Sequence, residues 1–326
     1  MSTAAPARAV TGVDRPGAAA PRRGRGRLHG LQWVGLAYVA PAVAVFAVFV
    51  LYPLYRTFYT SLYDYDGLTA ATWVGLENYR EVLTAPELRE ALLHSLVFLV
   101  FYAALPVVIG LALAGLMSRI RVYGLTVFRA LLFVPQILSS VVVAVSWRWI
   151  YDVQGPLNDL LRAVGLDQLT RGWLGDFSTA LPAVGVIGTW VEYGLCMVLF
   201  LAGIATIDRE QYEAARLDGA GPIREFVSIT LPALRPQVSV ALVLTITFAL
   251  RNFDLVWNTT RGGPGTSTTV PSVFVYQDAF QNREVGLASA LAIVLTVVIL
   301  VVVGLVLAAL RERGTGARAA RGGARA

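Results

Sequence analysis

The sequence predicts an all-α integral membrane protein with six transmembrane helices and an ordered helical loop on the cytoplasmic side. Three observations carry this. Hydrophobic residues make up 56% of the 326 positions and charged residues only 15%, whereas soluble domains carry about 25% charge. Mean hydropathy is +0.63. Apolar runs of the roughly 20 residues needed to cross a bilayer recur six times along the chain.

The spans are expected at about Trp33–Arg56, His94–Met117, Val127–Ile150, Leu181–Ile204, Val238–Trp257 and Val285–Leu310. The last contains no charge. Pro41, Pro53, Pro106 and Pro135 lie in or near spans, where neighbouring helices can satisfy the carbonyls that proline frees. An even number of spans puts both termini on one side. With the termini inside, 18 of the 27 arginines fall on cytoplasmic segments, while the first two outer loops are rich in aspartate and glutamate. Positive charge stays inside, so the chain is expected to be multi-pass in the cell (inner) membrane with both termini cytoplasmic.

This gives residues 1–30 as a disordered basic tail, 31–310 as the six-helix transmembrane domain and 311–326 as a second basic tail. The N-terminal tail is Ala, Pro, Gly and Arg with almost no large apolar residue, too little to bury. Its Arg22–Arg27 run reads as a topology determinant beside membrane lipid headgroups rather than a nucleic-acid patch, and no nucleic-acid partner is expected. The apolar run after Trp33 is too long for a signal-peptide core and is kept as the first span.

Composition removes several chemistries. All 27 basic residues are arginine, so there is no P-loop lysine and no Schiff-base lysine. The histidines are His29 and His94 and the one cysteine is Cys196. A His/Cys zinc site and an intramolecular disulfide are excluded. No cofactor or metal is expected, and the chain is not expected to be an enzyme.

The loop 205–236 is the most informative stretch. Asp208 is a good N-cap with Gln211 at N3, a capping-box arrangement, and Ile207 and Tyr212 stand at the places of a hydrophobic staple. The helix should run to Asp218 and stop at Gly219 in a left-handed C′ conformation. Pro222 suits the first turn of a second helix, and Leu231-Pro232 turns the chain toward the next span. Ala214 and Ala215 are small and adjacent, so a partner surface can approach the backbone there, and Glu213 adds a carboxylate. A short helix with little apolar face is a docking element more readily than a helix lying on the bilayer.

Within the membrane, Glu192 is costly and therefore a functional candidate, paired or not with an arginine such as Arg148 or Arg251. Tyr193 beside it can stack on a sugar ring. Phe248 and Asn252 are one helical turn apart on the fifth span. Plain helix packing is the competing account of Phe248. Arg251 and Asp254, three apart, can pair with each other. Trp147 and Trp149 read as an interfacial belt, and Gly262-Gly263-Pro264-Gly265 as an outer turn, since no Lys-Ser/Thr follows it.

Glu213-Ala214-Ala215, three residues, Gly219, nine residues, then Ile229-x-Leu231-Pro232 resembles the EAA coupling loop of ABC-importer membrane subunits. Asn252-Phe253-Asp254 through Thr260–Pro264, Phe274-Val275-Tyr276, Ala279-Phe280 and the outer Val74–Tyr79 stretch are similar to the MalF-like, sugar-type permeases. The resemblance covers roughly residues 33–310. It implies that Glu213, Ala214, Ala215, Asp218, Gly219, Ile229, Leu231 and Pro232 form the element that docks on a cytoplasmic ABC ATPase dimer. It also implies a second permease subunit (a heterodimer, or a homodimer in its place), an extracytoplasmic solute-binding protein, a sugar substrate, and ATP used only by the partner ATPase. By the same resemblance, Glu192, Leu195, Phe248 and Asn252 fall where substrate is contacted. Asp208 stands where the family has proline, Glu192 where the maltose permease subunit has glycine, and that subunit's large outer domain is absent. A proton- or ion-coupled secondary transporter is the alternative, but it calls for an inverted repeat and a chain of buried titratable groups. An intramembrane enzyme would need a catalytic partner for Glu192. The sequence displays none of these.

Overall fold

The computed structural model describes residues 38–119 and 123–322, so the expected N-terminal tail and the first residues of the first span lie outside the described residues. The chain divides into two units, residues 1–54 and 55–326. The first unit contributes residues 38–54 of helix α1, Tyr38–Thr60, with a π-helical stretch at Ala47–Leu51.

In the second unit a two-stranded antiparallel ribbon, β1 Tyr63–Asp64 and β2 Thr72–Trp73, departs from the expected all-α content. Asp66 accepts two backbone hydrogen bonds in its turn, from Leu68 N and Thr69 N at 2.8 and 2.7 Å. These bonds hold its carboxyl below the usual carboxylate range. Helix α2, Glu77–Thr84, follows. The Val74–Tyr79 stretch has a structural job: Asn78 Nδ2 donates to the carbonyls of Ser61 and Tyr63, and the Tyr79 hydroxyl meets Ser61 Oγ at 2.6 Å.

Helix α3 runs from Pro86 to Arg119. It begins eight residues before the expected His94, with Pro86 in its first turn. At ~1.5 Å per residue its 34 residues outreach the ~30 Å hydrocarbon core. A π-helical stretch, Val100–Ala104, lies within it. The third expected span is broken: α4, Leu125–Ile137, and α5, Ser140–Ile150, meet at 97°, where Leu138 and Ser139 are extended. After α6, Pro156–Ala163, helix α7 spans Ala180–Ile204. The helices of the loop after α7 are α8, Arg209–Leu217, and α9, Pro222–Ala233, and α9 bends by 69° into α10, Arg235–Leu250. The fifth span therefore ends at Leu250 instead of Trp257. Arg251, Asn252 and Phe253 intervene before α11, Asp254–Thr259. Two short outer helical segments, α12 at Pro271–Gln277 and a π turn at Asp278–Asn282, lead to α13, Val285–Gly322. Among the described residues four helices are long and apolar enough to cross a membrane, or up to six if each bent pair counts as one span.

Close approach of α3 and α7 organises the core. Gly110 sits where an added Cβ would be 2.6 Å from Cys196 Cβ, and Gly188 lies against the Tyr102 ring. Small residues at membrane helix contacts let backbones approach so that van der Waals packing can act. Phe98, Tyr102, Val184 and Ile187 are buried together, with Val107, Ala114, Cys196 and Phe200 continuing the seam. Trp147 belongs to this core, with its ring 5.0 Å from Tyr151 and 5.6 Å from Trp190, so only the exposed Trp149 fits the expected belt. The turn expected at Gly262–Gly265 is present: Gly262 and Gly265 have positive φ, and Thr269 N and Thr268 N bond within it.

Adding one methyl at the seam should overpack it at about 1–3 kcal/mol. Gly110→Ala and Gly188→Ala are expected to lower the melting temperature of the purified chain in detergent. Gly304→Ala, with nothing within 4 Å of its added Cβ, should leave it unchanged. Equal melting of all three would contradict the packing argument.

Candidate functional site

Two regions of the second unit bring functional candidates together. The first is the loop between α7 and α10. Helix α8 starts where expected, but Asp208 makes no side-chain cap hydrogen bond; its extended backbone (φ −63°, ψ 131°) marks the N-cap, and the expected capping box does not close. The Tyr212 hydroxyl instead meets Thr230 Oγ at 2.9 Å. The helix ends as the sequence indicates. Ala220 N donates to the Ala215 carbonyl at 2.9 Å and Gly219 N to the Arg216 carbonyl at 3.0 Å, the two bonds of a Schellman motif. Gly219 has φ +76°, with Asp218 as the C-cap. Glu213 and the exposed pair Arg209 and Arg216 line a cavity of about 730 Å³ under α8. Ala214 lies on α8, and Ile229, Leu231 and Pro232 belong to α9.

A residue that sequence reading missed ties this loop together. Glu225 is almost fully buried and faces two arginines. Its Oε1 accepts from Arg216 Nε on α8 at 3.0 Å, and its Oε2 lies 3.1 Å from Arg119 Nη2 at the end of α3. The same Arg119 nitrogen donates to the Pro222 carbonyl at 2.6 Å. One step along, Phe226 fills the space at Gly115 of α3, 2.7 Å from an added Cβ there. The sequence signal was a glutamate beside Arg224 in the first turn of α9, indistinguishable from a solvated one without its partners.

The second region is a cavity of about 350 Å³ at the breaks in the third and fifth spans. Its lining joins Glu192 of α7, Phe248 of α10 and Asn252 of the break with Tyr102, Gln136 and Arg251. Tyr193 and Leu195 are not in that lining. Asn252 is not one turn along a helix from Phe248, because α10 has ended; its backbone carbonyl accepts from Ser272 Oγ and its amide donates to the Tyr102 hydroxyl at 2.8 Å. No arginine reaches Glu192: neither Arg148 nor Arg251 lies within ion-pair distance, and no bridge joins Arg251 to Asp254, among the described residues. Glu192 Oε2 and Gln136 Oε1 are enclosed without a hydrogen-bond partner. Both oxygens are closed off from solvent, so it is the rest of the polar lining, with Arg251 and Asn252, that a ligand in the cavity would meet. No metal-holding cluster occurs among the described residues.

Residues 91–316 match the family described as "Binding-protein-dependent transport system inner membrane component". The chain is 38% identical over 267 residues to the "Probable ABC transporter permease protein YurN" of Bacillus subtilis, covering 81% of this chain and 91% of that protein. It is 34% identical to the "Diacetylchitobiose uptake system permease protein NgcF" of Streptomyces coelicolor, covering 94% and 92%. To the "Trehalose/maltose transport system permease protein MalF" of Thermococcus litoralis it is 32% identical, covering 82% and 90%. A chain of a bacterial ABC transporter "involved in the import of the acidic polysaccharide alginate" has the same fold, with a TM-score of 0.74 at 23% identity over 87% of this chain and 96% of that one.

Gly219 meets nothing within 4 Å of an added Cβ, so substitution there acts on backbone strain alone. Gly219→Val should cost about 1–2 kcal/mol and speed amide hydrogen exchange at positions 219 and 220. Gly219→Asn, which tolerates the left-handed region, should exchange nearly as the parent. Identical protection in the Val variant would contradict the Schellman reading.

Proposed function

We propose, from the premise that the chain belongs to the binding-protein-dependent transport system inner membrane components, that it lines half of the pathway by which an ATP-driven importer admits a sugar or sugar-like solute. Family membership makes it a transport component and not an enzyme. The observation that favours a sugar is the 350 Å³ cavity, whose lining sets the exposed Phe248 beside the polar side chains of Gln136, Glu192, Arg251 and Asn252. The aromatic face suits the apolar side of a pyranose. The polar side chains of the lining suit its hydroxyls. Glu192, Phe248 and Asn252 contact the solute in this reading, with Tyr193 and Leu195 set behind the wall.

Helix α8 docks in a cleft of a cytoplasmic ATPase dimer through Glu213, Ala214 and Ala215. Asp218 and Gly219 end the helix, and Ile229, Leu231 and Pro232 set its return toward α10. A second permease subunit supplies the other half of the pathway, and a solute-binding protein delivers the sugar from outside. Spans number six, with the bent pairs counted as one each, and both termini are cytoplasmic. ATP binding shifts the importer between inward- and outward-facing states by its differential affinity for the two.

Reconstitution in liposomes tests this. Uptake of labelled sugar should require this chain, its second permease, the ATPase and a loaded binding protein together. The isolated chain should hydrolyse no ATP, having no phosphate-cradling lysine. In right-side-out vesicles an impermeant thiol reagent should label cysteine at Ala70 and Thr266 and miss it at Glu210. Uptake without ATPase, or outside labelling at Glu210, would overturn the reading.

A further inference from the structure

The importer reading leaves open how a movement of α8 reaches the cavity. Helices α7 and α10 join the loop to it along the chain, through Glu192 and Phe248 of its lining, and α3 reaches both ends without being part of the loop. Helix α3 carries Arg119 at its last turn and Tyr102 inside the membrane. The 17 residues between them span about 25 Å at ~1.5 Å per residue. At the cytoplasmic end, Arg119 is bound to the loop through Glu225 and the Pro222 carbonyl. Glu225 also holds Arg216 of α8. At the other end the Tyr102 hydroxyl accepts from Asn252 on the cavity wall, and its ring is pressed by Gly188.

We propose that Glu225 is the positioning residue that joins the docking helix to α3, and that α3 acts as a rod carrying the movement of α8 to the Tyr102–Asn252 wall of the cavity. The proposal rests on the importer reading. Its physical basis is the placement of one buried carboxylate between two cations from separate elements. A buried carboxylate that loses a partner is left uncompensated, so the three groups move together. Phe226 packed on Gly115 keeps α9 from sliding along α3. The Tyr212–Thr230 contact stays within the loop, and Leu234 of the loop packs in one buried cluster with Val107 and Ala114 of α3. Spatial continuity alone does not demonstrate coupling, so the test must measure coupling itself.

The complete importer, reconstituted with its second permease, ATPase and binding protein, is assayed for labelled-sugar uptake and ATP hydrolysis in the same vesicles. Glu225→Gln keeps the shape and removes the charge. Binding-protein-stimulated hydrolysis should persist, while sugar moved per ATP falls about five- to tenfold, the lower range of coupling strengths. Arg216→Gln, at an exposed position, should do the same and covers the case in which Glu225→Gln fails to assemble. Arg119→Gln should uncouple, and Arg119→Lys, which keeps the cation, should restore the ratio. Adding Tyr102→Phe to Glu225→Gln should lower the ratio no further than the stronger single variant.

Parallel loss of hydrolysis and uptake, an unchanged ratio in all three charge variants, or multiplicative losses in the double variant would each overturn the rod. A parent complex that hydrolyses ATP with its binding protein but imports no sugar would overturn the importer reading itself. An importing parent whose variants keep their ratio would overturn the rod alone.

Discussion

The structure depends on the contact between α3 and α7. Without side chains at Gly110 and Gly188, the two backbones come close enough for Cys196 and Tyr102 to fill the seam. Thr189 Oγ donates to the Phe101 carbonyl across it, at the π-helical stretch of α3. In lipid there is no hydrophobic gain in bringing helices together, so such packing and such bonds have to hold them. That seam fixes Glu192 and Tyr102 on the walls of one cavity, and it carries α3 down to the loop where Arg119 meets Glu225.

Breaks in the spans are the second constraint. Irregular backbone at membrane depth is tolerated only where it is buried in protein or lines a cavity; the α4–α5 break and the end of α10 line the same cavity, and the bend between α9 and α10 is at the buried Leu234. Leu138 and Arg251 stand at the two breaks, and their neighbours Gln136, Ser140 and Asn252 supply polar groups to its wall. The segment between α5 and α7 is held in the same manner by a buried amide. Asn158 Nδ2 is satisfied by carbonyls of Asp152, Val153 and Arg171, and its Oδ1 accepts from Trp173 Nε1.

The sequence made the membrane character, the end of α8 at Gly219 and the turn at Gly262–Gly265 legible, because each rests on a local rule of composition or backbone conformation. It did not reveal the breaks at Leu138 and Arg251. A continuous apolar run reads the same whether the helix is straight or bent by 97°. Asp208 was recognised as a helix start but not as one lacking a side-chain cap, since an N-cap residue type does not fix its rotamer. Glu192 was legible as an oddity. Its lack of an ion-paired arginine, and the absence of Tyr193 and Leu195 from the cavity lining, depend on helix rotation that composition does not encode. Glu225 was invisible for the same reason: its meaning lies in Arg119, more than a hundred positions away, and in burial produced by tertiary packing.

The account's central claim is that α8 sits on an ATPase. Site-directed cross-linking tests it most directly, and Cys196, the one native cysteine, is buried. With a short bifunctional reagent on the assembled complex, cysteine at Ala214 should cross-link to the ATPase subunit, and the yield should change when ATP is added. Cysteine at Thr266 on the outer turn should give no ATPase product. Absence of any ATPase adduct from Ala214 in a complex that imports sugar would contradict the claim.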